Sequence, residues 1–276
     1  MSHHWFLTGA SSGIGRHLAE VILAAGDVLT AAVRKPESMS DLTERYGERL
    51  VVEKLDVTVT GDIAPVVARA QARRPVDIVV NNAGGGVIGA TEEMSDADIE
   101  EQIALNLMAP VHITRAFIPA MRERRSGRII QISSASGQGS LPTSSMYHAA
   151  KWGLEGFSEC LRQELEPFDV FVTLIEPGGV RSSFGGNLKF ASAIAAYRDT
   201  PAGAMRSLFE SAGDELYTLD PQKIAQAIFE IATSERPPVR VTLGGDAYEV
   251  VQNAWQSRLA FLQSQEQLAR SVAFDD

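Results

Sequence analysis

Cysteine and lysine are both scarce in this sequence. Its 276 residues include one cysteine, Cys160, and five lysines. A single thiol cannot form an intramolecular disulfide, which excludes a disulfide-stapled secreted fold and suits a reducing cytoplasm. Lysine and arginine together number 25 against 35 aspartates and glutamates, so the net charge is −10 and the sequence pI is about 5.1. This acidic balance argues against nucleic acid and against an anionic membrane surface as partners.

Three further signals are missing. The N-terminal MSHHWFLTGASSG has no charged region ahead of an apolar stretch of signal-peptide length, and no apolar run reaches the ~18 residues of a transmembrane helix. We therefore expect neither export nor membrane insertion, but a cytoplasmic protein. His3 and His4 are adjacent rather than spaced as metal ligands, so no metal is expected. A serine hydrolase with a Ser-His-Asp triad is not expected, although GASSG at residues 9–13 fits the G-x-S-x-G spacing.

Short apolar runs alternate along the chain with segments of helical periodicity. The runs are predicted strands: WFLT (5–8), VLTAAV (28–33), LVVEKL (50–55), VDIVV (76–80), GRIIQIS (127–133), VFVTLIE (170–176) and VRVTL (239–243). The connections are long enough for helices of about ten residues or more, as right-handed βαβ crossovers require. The pattern predicts an α/β fold, a doubly wound, Rossmann-type parallel sheet of about seven strands with helices on both faces.

No repeat, low-complexity tract or flexible linker divides the chain, so residues 1–276 are expected to form one domain. Residues 181–218 are less regular, and we interpret them as a candidate substrate lid. The alternative is an extra helical layer without function. Residues 246–276 form a predicted C-terminal helical extension, suited to packing or subunit contact.

A glycine-rich turn, TGASSGIG at residues 8–15, follows the first predicted strand and precedes a helical pattern. Its glycines permit a tight turn and close approach of the backbone to a ligand, and the helix N-terminus offers free N–H groups to a pyrophosphate. The segment therefore predicts a dinucleotide-binding loop. The alternative is a turn that only joins strand to helix.

The second predicted strand lacks an acidic residue at its end. An NAD-selective site usually carries a carboxylate there for the ribose 2′-OH, but VLTAAV ends in Val33 and continues with Arg34 and Lys35. Nothing at this point repels a 2′-phosphate, and Arg34 can bind it through two hydrogen bonds. We therefore expect NADP(H) to be preferred over NAD(H), unless Arg34 instead pairs with Glu37 or Asp56.

The segment SSMYHAAK, residues 144–151, places a phenol and an ammonium four residues apart. Such a pair arises by chance in roughly one in ten chains of this composition. However, the apolar residues that follow recur at intervals of three and four, which predicts an amphipathic helix with Tyr147 and Lys151 on one face. A neighbouring cation stabilises a phenolate, so the pair is a candidate acid/base. His148 is expected to point away from it, about 100° round the helix.

Other polar residues fall at predicted structural transitions. Ser134 follows the strand GRIIQIS closely and NNAG (81–84) follows VDIVV, and the carboxyl ends of parallel strands meet at the edge where α/β sheets bind ligands. Pro110 lacks the N–H that would pair with the carbonyl of Asn106, so we expect a kinked helix with a free carbonyl that suits a water. The alternative is that Asn106 has a purely structural role at the kink.

Together TGASSGIG, NNAG, Ser134 and the Tyr147/Lys151 pair resemble the short-chain dehydrogenases/reductases, in that family's order and over nearly the whole chain. The 13-residue interval from Ser134 to Tyr147 also matches the family, with Ser133 as the adjacent alternative. The resemblance implies that Tyr147 donates the proton in reduction, that Lys151 lowers the pKa of Tyr147 and holds the nicotinamide ribose, and that Ser134 binds the substrate oxygen. Asn106 would complete the tetrad by holding a water that leads to Lys151.

The resemblance also implies a set of cofactor-binding residues. Arg34 matches the basic position of NADP-preferring members. The remaining cofactor-binding residues are Gly9, Ser11, Ser12, Gly13, Ile14 and Gly15 in the glycine-rich turn, Asp56 and Val57 at the adenine, and Asn82, Ala83 and Gly84 at the adenosine ribose. The catalytic pair, Tyr147 and Lys151, and three residues at the nicotinamide, Pro177, Gly178 and Val180, complete the set.

These features favour an NADP(H)-dependent oxidoreductase that transfers a hydride between nicotinamide and a carbonyl or secondary alcohol, as a carbonyl reductase or alcohol dehydrogenase does. The alternative class is a non-catalytic NADP(H) sensor on the same fold, although such proteins typically lack the Tyr or the Lys. An epimerase or dehydratase is a minor alternative, because its relatives have a different glycine spacing.

The candidate lid carries large apolar side chains that suit a hydrophobic small-molecule substrate: Phe184, Leu188, Phe190, Ile194, Tyr197 and Met205. The same side chains can equally pack the lid onto the body. Members of the resembled family usually form homodimers or homotetramers through the helices bearing Asn106 and Tyr147. We therefore expect a homo-oligomer, with neither nucleic acid nor a membrane as partner.

Overall fold

The computed structural model describes residues 2–211 and 214–274. Met1, residues 212–213 of the candidate lid and residues 275–276 of the C-terminal extension lie outside this range. The strands of the described residues are β1 (His4–Thr8), β2 (Val28–Val33), β3 (Leu50–Lys54), β4 (Ile78–Asn81), β5 (Val87–Ile88), β6 (Gly127–Ile132), β7 (Val170–Pro177), β8 (Lys189–Phe190) and β9 (Arg240–Leu243).

Seven of these strands form one sheet in the order β3-β2-β1-β4-β6-β7-β9. Every pairing in it is parallel. The chain winds outward from β1 to β3 and then returns past β1 to wind the other way, so the order reverses beside β1. The prediction of a doubly wound parallel sheet built from the seven apolar runs is confirmed. Strands of such a sheet are covered on both faces, which is why each one reads as a nearly continuous apolar run.

Helices connect the strands and cover the sheet. In the described part of the chain they are α1 (Gly13–Ala24), α2 (Ser40–Tyr46), α3 (Thr60–Arg73), α4 (Asp96–Ile103), α5 (Ala109–Arg124), α6 (Ser145–Leu165), α7 (Ser183–Gly186), α8 (Pro201–Ser211), α9 (Pro221–Thr233), α10 (Gly245–Ser264) and α11 (Glu266–Arg270). A π turn at Ala104–Met108 joins α4 to α5. Single 3₁₀ turns lie at Pro36–Met39, Gly47–Arg49, Thr91–Glu93, Ala135–Gly137, Glu166–Phe168, Ala195–Tyr197 and Asp214–Leu216.

The core lies on both faces of the sheet, because successive side chains of a strand point to opposite sides. On one face, Trp5 of β1 stacks on Phe229 of α9 with the ring centroids 5.5 Å apart. On the other face, Phe6 of the same strand meets Phe117 of α5 at 4.9 Å. These two layers fix the central strands, and with them the loops at the carboxyl edge of the sheet.

A second, two-stranded parallel sheet joins the candidate lid to the body through β5 and β8. Nearby, Arg206 of α8 lies 3.6 Å from Glu93, whose other carboxylate oxygen accepts the N–H of Ile194 at 2.8 Å. Two-residue strands have no readable periodicity, so sequence analysis did not predict this sheet. The roles of residues 181–218 as a lid and of residues 1–276 as one domain stay predictions.

One helical segment is longer and more apolar than sequence analysis expected. Asp96–Arg124, which includes α4, the π turn and α5, has a mean hydropathy of 1.2 over an 18-residue window, enough to cross a membrane by length and composition alone. The earlier expectation considered only uninterrupted apolar runs, whereas this segment intersperses polar residues. Core helices of soluble proteins pass the same test, and here α5 packs against α3 and α6. The segment is therefore weak evidence for a membrane span.

The C-terminal helix α10 contacts the body on one side only. Trp255 Nε1 donates to Gln138 Oε1 at 2.9 Å, and the guanidinium carbon of Arg258 lies 4.1 Å from the ring centroid of Trp152. Large apolar side chains of α10, α11 and the following residues are nevertheless exposed: Tyr248, Val250, Leu259, Phe261, Leu262, Leu268, Val272 and Phe274. Trp255 is itself half exposed. The helix thus joins the loop after β6 to an uncovered apolar surface.

Candidate active site

Five adjacent strands bring polar loops to one edge of the sheet. The carboxyl ends of β2, β1, β4, β6 and β7 are neighbours. In that order they lead into Arg34, the glycine-rich turn, residues 82–84, Ser134 and residues 178–180. These loops therefore lie together at the sheet edge where, in a doubly wound sheet, the strand order reverses and ligands bind.

The glycine-rich turn adopts backbone conformations that suit glycine. Gly9 and Gly13 have φ angles of 68° and 54°, in the left-handed region. A Cβ on Gly15 would lie 2.3 Å from the carbonyl oxygen of Gly9, so only glycine lets α1 start this close to the turn. Ser11 and Ser12 are exposed at its tip, and Ser12 makes no side-chain capping bond to α1. The first N–H groups of α1 are therefore available to an anion.

Asn82 holds this turn in place. Its Nδ2 donates to the carbonyls of Thr8 and Gly9 at 3.0 and 3.2 Å, and the Thr8 hydroxyl accepts the N–H groups of Asn82 and Ala83 at 3.0 and 3.1 Å. The Asn82 side chain is thus occupied with the turn rather than pointing freely along the crevice. Its backbone and that of Ala83 are fixed beside the start of α1.

The loop after β7 bounds the other side of the crevice. A Cβ on Gly13 would lie 3.2 Å from Cβ of Ser182, so this loop comes close to the glycine-rich turn. The N-terminus of α1 lies at this approach, and Ile14 in its first turn is partly buried. These are the features that a dinucleotide requires, and the residues present fit such a cofactor.

Arg34 is exposed just beyond β2. Within the described ranges it forms no ion pair with Glu37 or Asp56, the pairings that would have competed with a phosphate. Hydrogen bonds from the Thr58 side chain, and then from its backbone, hold the pKa of Asp56 below its usual value, and the charge of Arg34 contributes less. Val57 is buried beside Asp56. The guanidinium of Arg34 therefore remains open to an anionic ligand.

Tyr147 and Lys151 lie one turn apart on α6. Lys151 Nζ is 5.6 Å from the centroid of the Tyr147 ring and donates to the carbonyl oxygen of Ile132 at 2.8 Å. Because Ile132 is the last residue of β6, this bond fastens α6 to the strand that leads into Ser134. Lys151 is only 5% exposed, and Tyr147 is partly buried. The two groups thus form an enclosed pair rather than a solvated surface pair.

Burial acts on both members of the pair. It lowers the pKa of Lys151 to about 8, while the negative charge of Glu155 acts in the opposite direction. It raises the pKa of Tyr147 to about 12, while hydrogen bonding with Ser134 acts in the opposite direction. The net direction for Tyr147 is upward, contrary to the expectation based on Lys151 alone, because desolvation of the phenolate outweighs its polar neighbours here. A lowering of the Tyr147 pKa by Lys151 stays a prediction.

Ser134, rather than Ser133, faces Tyr147. Ser134 is the side chain whose hydrogen bonding acts to lower the pKa of Tyr147, and its hydroxyl oxygen accepts the N–H of Ser136 at 3.1 Å. Ser133 is 3% exposed. Its hydroxyl lies near the Glu155 carboxylate, because a Cβ on Gly137 would be 2.8 Å from Ser133 Oγ and 2.8 Å from Glu155 Oε1. The geometry therefore favours Ser134 as the serine that can touch a substrate oxygen.

Asn106 is fully buried within the π turn between α4 and α5. Its Nδ2 donates to the carbonyls of Gly85 and Gln102 at 3.0 and 3.2 Å, and its Oδ1 accepts the N–H of Gly85 at 3.3 Å. A Cβ on Gly84 would lie 3.1 Å from this Oδ1. The side chain therefore has the structural role considered as the alternative, joining the helix to the loop after β4. A water held by the Asn106 carbonyl stays a prediction.

The expected nicotinamide side is held by the C-terminal part of the chain. Gly178 donates its N–H to the carbonyl of Leu243 at 3.0 Å, and Gly179 donates its N–H to Asp246 Oδ2 at 2.7 Å. The next residue, Val180, is buried. The family resemblance implies Pro177, Gly178 and Val180 at this side but does not indicate Asp246. The available signal was the acidic residue in the first turn of a predicted helix, a position that usually serves the helix itself.

The candidate lid reaches the catalytic pair through Phe184, whose ring centroid lies 6.1 Å from that of Tyr147. Leu188 packs on the loop after β4, because a Cβ on Gly86 would lie 2.6 Å from its side chain. Phe190 instead lies under the guanidinium of Arg206 at 5.7 Å. Phe184 therefore lies beside the catalytic pair and Phe190 takes part in the packing of the lid, while substrate binding by these side chains stays a prediction.

His148 was expected to face away from the acid/base, and it binds the loop that follows Ser134. Its Nε2 accepts the N–H of Leu141 at 3.1 Å, and its Nδ1 therefore donates to the carbonyl of Ser136 at 2.8 Å. The tautomer follows from the backbone N–H, which can only donate. His148 thus shapes the loop between the two catalytic candidates, a role that only the folded chain reveals.

The sequence is similar to known short-chain dehydrogenases. Residues 3–191 match the family model described as short chain dehydrogenase. Oxidoreductase BOA17 of Botryotinia fuckeliana (strain B05.10) is 35% identical over 252 residues, which cover 90% of this chain and 91% of that protein.

Two solved structures are similar as well. A short-chain dehydrogenase from Streptomyces avermitilis has a TM-score of 0.90 and 38% identity, with 99% of this chain and 98% of that chain covered. A metagenomic short-chain oxidoreductase in complex with NADP has a TM-score of 0.70 and 28% identity, with 88% of this chain and 99% of that chain covered.

Proposed function

This chain belongs to the short-chain dehydrogenase/reductase family, and from that premise we propose that it is an NADP(H)-dependent carbonyl reductase or alcohol dehydrogenase with Tyr147 as its acid/base. The observation that carries the proposal is the enclosed Tyr147/Lys151 pair, which faces Ser134 in the same crevice as a glycine-rich turn that fits a dinucleotide. The bound cofactor supplies or accepts the hydride, and the chain supplies or accepts the proton.

Tyr147 acts on the substrate oxygen. The Ser134 hydroxyl, which acts on the pKa of Tyr147, would place that oxygen beside the phenol. A Tyr147 pKa of about 12 keeps the phenol protonated at neutral pH, which is the form that donates a proton in reduction. The Lys151 ammonium stabilises the phenolate that remains, and it does so strongly because the site is buried.

The preference for NADP(H) over NAD(H) is proposed from the residues after β2. The exposed Arg34 guanidinium would bind a 2′-phosphate, and no carboxylate stands at the end of β2 to hold a free 2′-OH. The N–H groups at the start of α1 would bind the pyrophosphate, and the loop at residues 177–180 would lie along the nicotinamide. The NADP complex of the metagenomic relative supports a nicotinamide cofactor.

The proposed substrate is a hydrophobic ketone, aldehyde or secondary alcohol. Phe184 lies beside Tyr147, and Leu141 is exposed on the loop that His148 holds next to Ser134. An apolar wall beside two convergent hydroxyl groups is the usual form of a site that binds a largely apolar carbonyl compound.

We also propose a cytoplasmic homo-oligomer in which α10 pairs with the same helix of a second copy. Tyr248, Trp255, Leu259 and Leu262 recur at intervals of seven, four and three, and they are 60%, 51%, 56% and 65% exposed. Such spacing is typical of a helix-helix seam. Arg258 is turned inward onto the body and α10 contains no lysine, so the helix lacks the basic residues that bind an anionic membrane surface.

The test is the oxidation of NADPH and, separately, NADH, followed at 340 nm with aromatic, aliphatic and cyclic ketones. We expect turnover with NADPH at a kcat/KM about tenfold or more above that with NADH, and a smaller ratio for Arg34→Ser. A preference for NADH would contradict the role of Arg34. Binding of NADPH without turnover in either direction would favour the alternative, a non-catalytic sensor.

A further inference from the structure

Glu155 is a buried carboxylate one turn beyond Lys151 on α6. Both side chains belong to residues that are 5% exposed. Residues four apart on a helix are neighbours on its surface, so the Glu155 carboxylate lies on the Lys151 side of α6. A carboxylate is costly to bury unless cations or hydrogen-bond donors hold it, yet the proposed reaction gives Glu155 no part.

Arg240 of β9 holds this carboxylate but does not balance the charge around it. Its Nη2 lies 2.6 Å from Glu155 Oε2 and 2.7 Å from Glu159 Oε1, and its Nε lies 2.6 Å from Glu176 Oε1. One guanidinium thus faces three carboxyl groups. Burial raises the pKa of Glu176, and the negative charge of Glu155 acts in the same direction. A second cation nearby would therefore be stabilised.

The other oxygen of Glu155 takes no part in the contact with Arg240. Glu155 Oε1 is buried and has no hydrogen-bond partner among the described residues. It shares the space behind Gly137 with the hydroxyl of Ser133, which is likewise buried without a partner. The Lys151 ammonium has three N–H donors, and its bond to the Ile132 carbonyl uses one of them. Two donors remain for acceptors on this side of α6.

We propose that Glu155 is a positioning residue for Lys151: its carboxylate, held by Arg240, keeps the Lys151 side chain an ammonium ion behind Tyr147. Burial lowers the pKa of Lys151 to about 8 even though Glu155 raises it. Without this carboxylate, a substantial fraction of the amine would be neutral at neutral pH, and a neutral amine does not stabilise a phenolate. Only this catalytic consequence rests on the proposed function.

Other groups around α6 do not replace this charge. The titratable or charged side chains on α6 near the pair, and on β7, β9, α4 and α5 packed around it, include Tyr147, His148, Glu159, Glu176, Arg240, Glu101 and His112. Among charges, Glu155 is the one that raises the pKa of Lys151. Tyr147 is neutral at physiological pH, and Glu176 is directed toward Arg240 and Thr242.

The small number of lysines makes a direct test practical. We would label the five lysines with ¹³C at Cε, titrate the protein by NMR and assign Lys151 by the signal that Lys151→Met removes. Glu155→Gln would be compared with the matched control Glu159→Gln. Each removes one carboxylate from Arg240, but Glu159 is half exposed and lies about 12 Å from Lys151 along the helix axis.

We expect Glu155→Gln to lower the pKa of Lys151 by about one unit or more, and Glu159→Gln to lower it by less than about a third of that. The amide oxygen that Glu155→Gln introduces can still accept from Arg240, and Glu155→Met gives the same measurement should the amide prevent folding. Equal shifts in the Glu155 and Glu159 variants, or no shift in either, would overturn the proposal. The titration needs neither cofactor nor substrate, so a parent protein without reductase activity would refute the proposed function alone.

The pH profile gives a second readout. For Glu155→Gln we expect the alkaline limb of kcat/KM for NADPH-dependent reduction to move to lower pH by about the shift seen in the titration. Glu155→Asp, which keeps the charge, should move the limb back toward that of the parent. A uniform loss of activity without movement of the limb would mean that Glu155 has only a structural role and would overturn the proposal.

Discussion

Replacement of Asp246 by alanine tests whether the C-terminal helix shapes the nicotinamide side of the crevice. Asp246 Oδ2 accepts the N–H of Gly179 at 2.7 Å, within the loop that carries Gly178 and Val180. The bond between Gly178 N–H and the Leu243 carbonyl, at 3.0 Å, would remain. We therefore expect the loop of Asp246→Ala to loosen while the protein stays folded.

The size of the effect follows from that single hydrogen bond. A hydrogen bond to a charged group contributes about 1.5–3 kcal/mol. Asp246 is exposed, so its bond is screened by water and about 1 kcal/mol is the better expectation. If the whole of this free energy contributes to NADPH binding through the ordered loop, its loss weakens NADPH binding about fivefold.

The assay is a fluorescence titration with NADPH, together with the thermal unfolding of the protein without cofactor. Asp246→Asn is the matched control, because its amide oxygen still accepts the Gly179 N–H, and it should weaken binding less than about twofold. Unchanged NADPH binding by Asp246→Ala would refute the role of this contact. Equal weakening by both variants would show that the charge matters and not the hydrogen bond.

Three further predictions concern the turn, the buried lysine and the exposed helix. Gly15→Ala should abolish NADPH binding in the same titration, because its Cβ would lie 2.3 Å from the carbonyl oxygen of Gly9. The pKa of Lys151 is about 8 in the folded protein, below the pKa of a lysine in the unfolded chain. Between these two pH values the folded state therefore binds fewer protons than the unfolded chain. The urea-unfolding free energy of the parent should thus rise between pH 8 and about 10.4 by about 3 kcal/mol relative to Lys151→Met. Leu262→Glu should lower the mass measured by light scattering after size-exclusion chromatography, whereas Val272→Glu, also exposed, should not.

Each of these predictions has an opposite outcome. Parent-like NADPH binding by Gly15→Ala would contradict the close packing of α1 on the turn. If the stability difference between the parent and Lys151→Met does not change over that pH range, the lysine is not buried in solution. An unchanged mass for Leu262→Glu would exclude α10 as the subunit contact, and a monomeric parent would exclude the homo-oligomer itself.

The sheet and the order of the crevice were predictable because they depend on local patterns. The inner strands of the parallel sheet are buried on both faces, so each appears as an apolar run such as VLTAAV at β2. Once the seven strands are recognised, their carboxyl ends must lie at one edge, which brings Arg34, Ser134 and the glycine-rich turn together. The helical period likewise places Tyr147 and Lys151 on one face of α6.

What was missed depends on contacts between distant segments. The bond from Gly179 to Asp246 spans 67 residues, and the contact of Arg240 with Glu155 spans 85. Neither pair has a local pattern, and each partner alone resembles an ordinary charged surface residue. Pro110 correctly indicated an irregular helix but not its form, because a proline is compatible with either a kink or a π turn.

The net upward direction of the Tyr147 pKa was also beyond the sequence. A lysine four residues away predicts a stabilised phenolate, but the depth of burial of both groups decides the balance, and burial is set by the lid, β6 and α6 together. The assignment of residues 181–218 as a lid and of residues 246–276 as an extension for subunit contact still awaits experiment.

The most direct test of the proposed function compares the parent with Tyr147→Phe. Both would be assayed for NADPH oxidation with the best ketone found, and the dissociation constant for NADPH would be measured for each. Loss of a positioned general acid should lower kcat by about 10²–10⁴-fold while the dissociation constant stays within about twofold. A Tyr147→Phe variant that binds NADPH and reduces the ketone at the parental rate would contradict the assignment of Tyr147 as the acid/base.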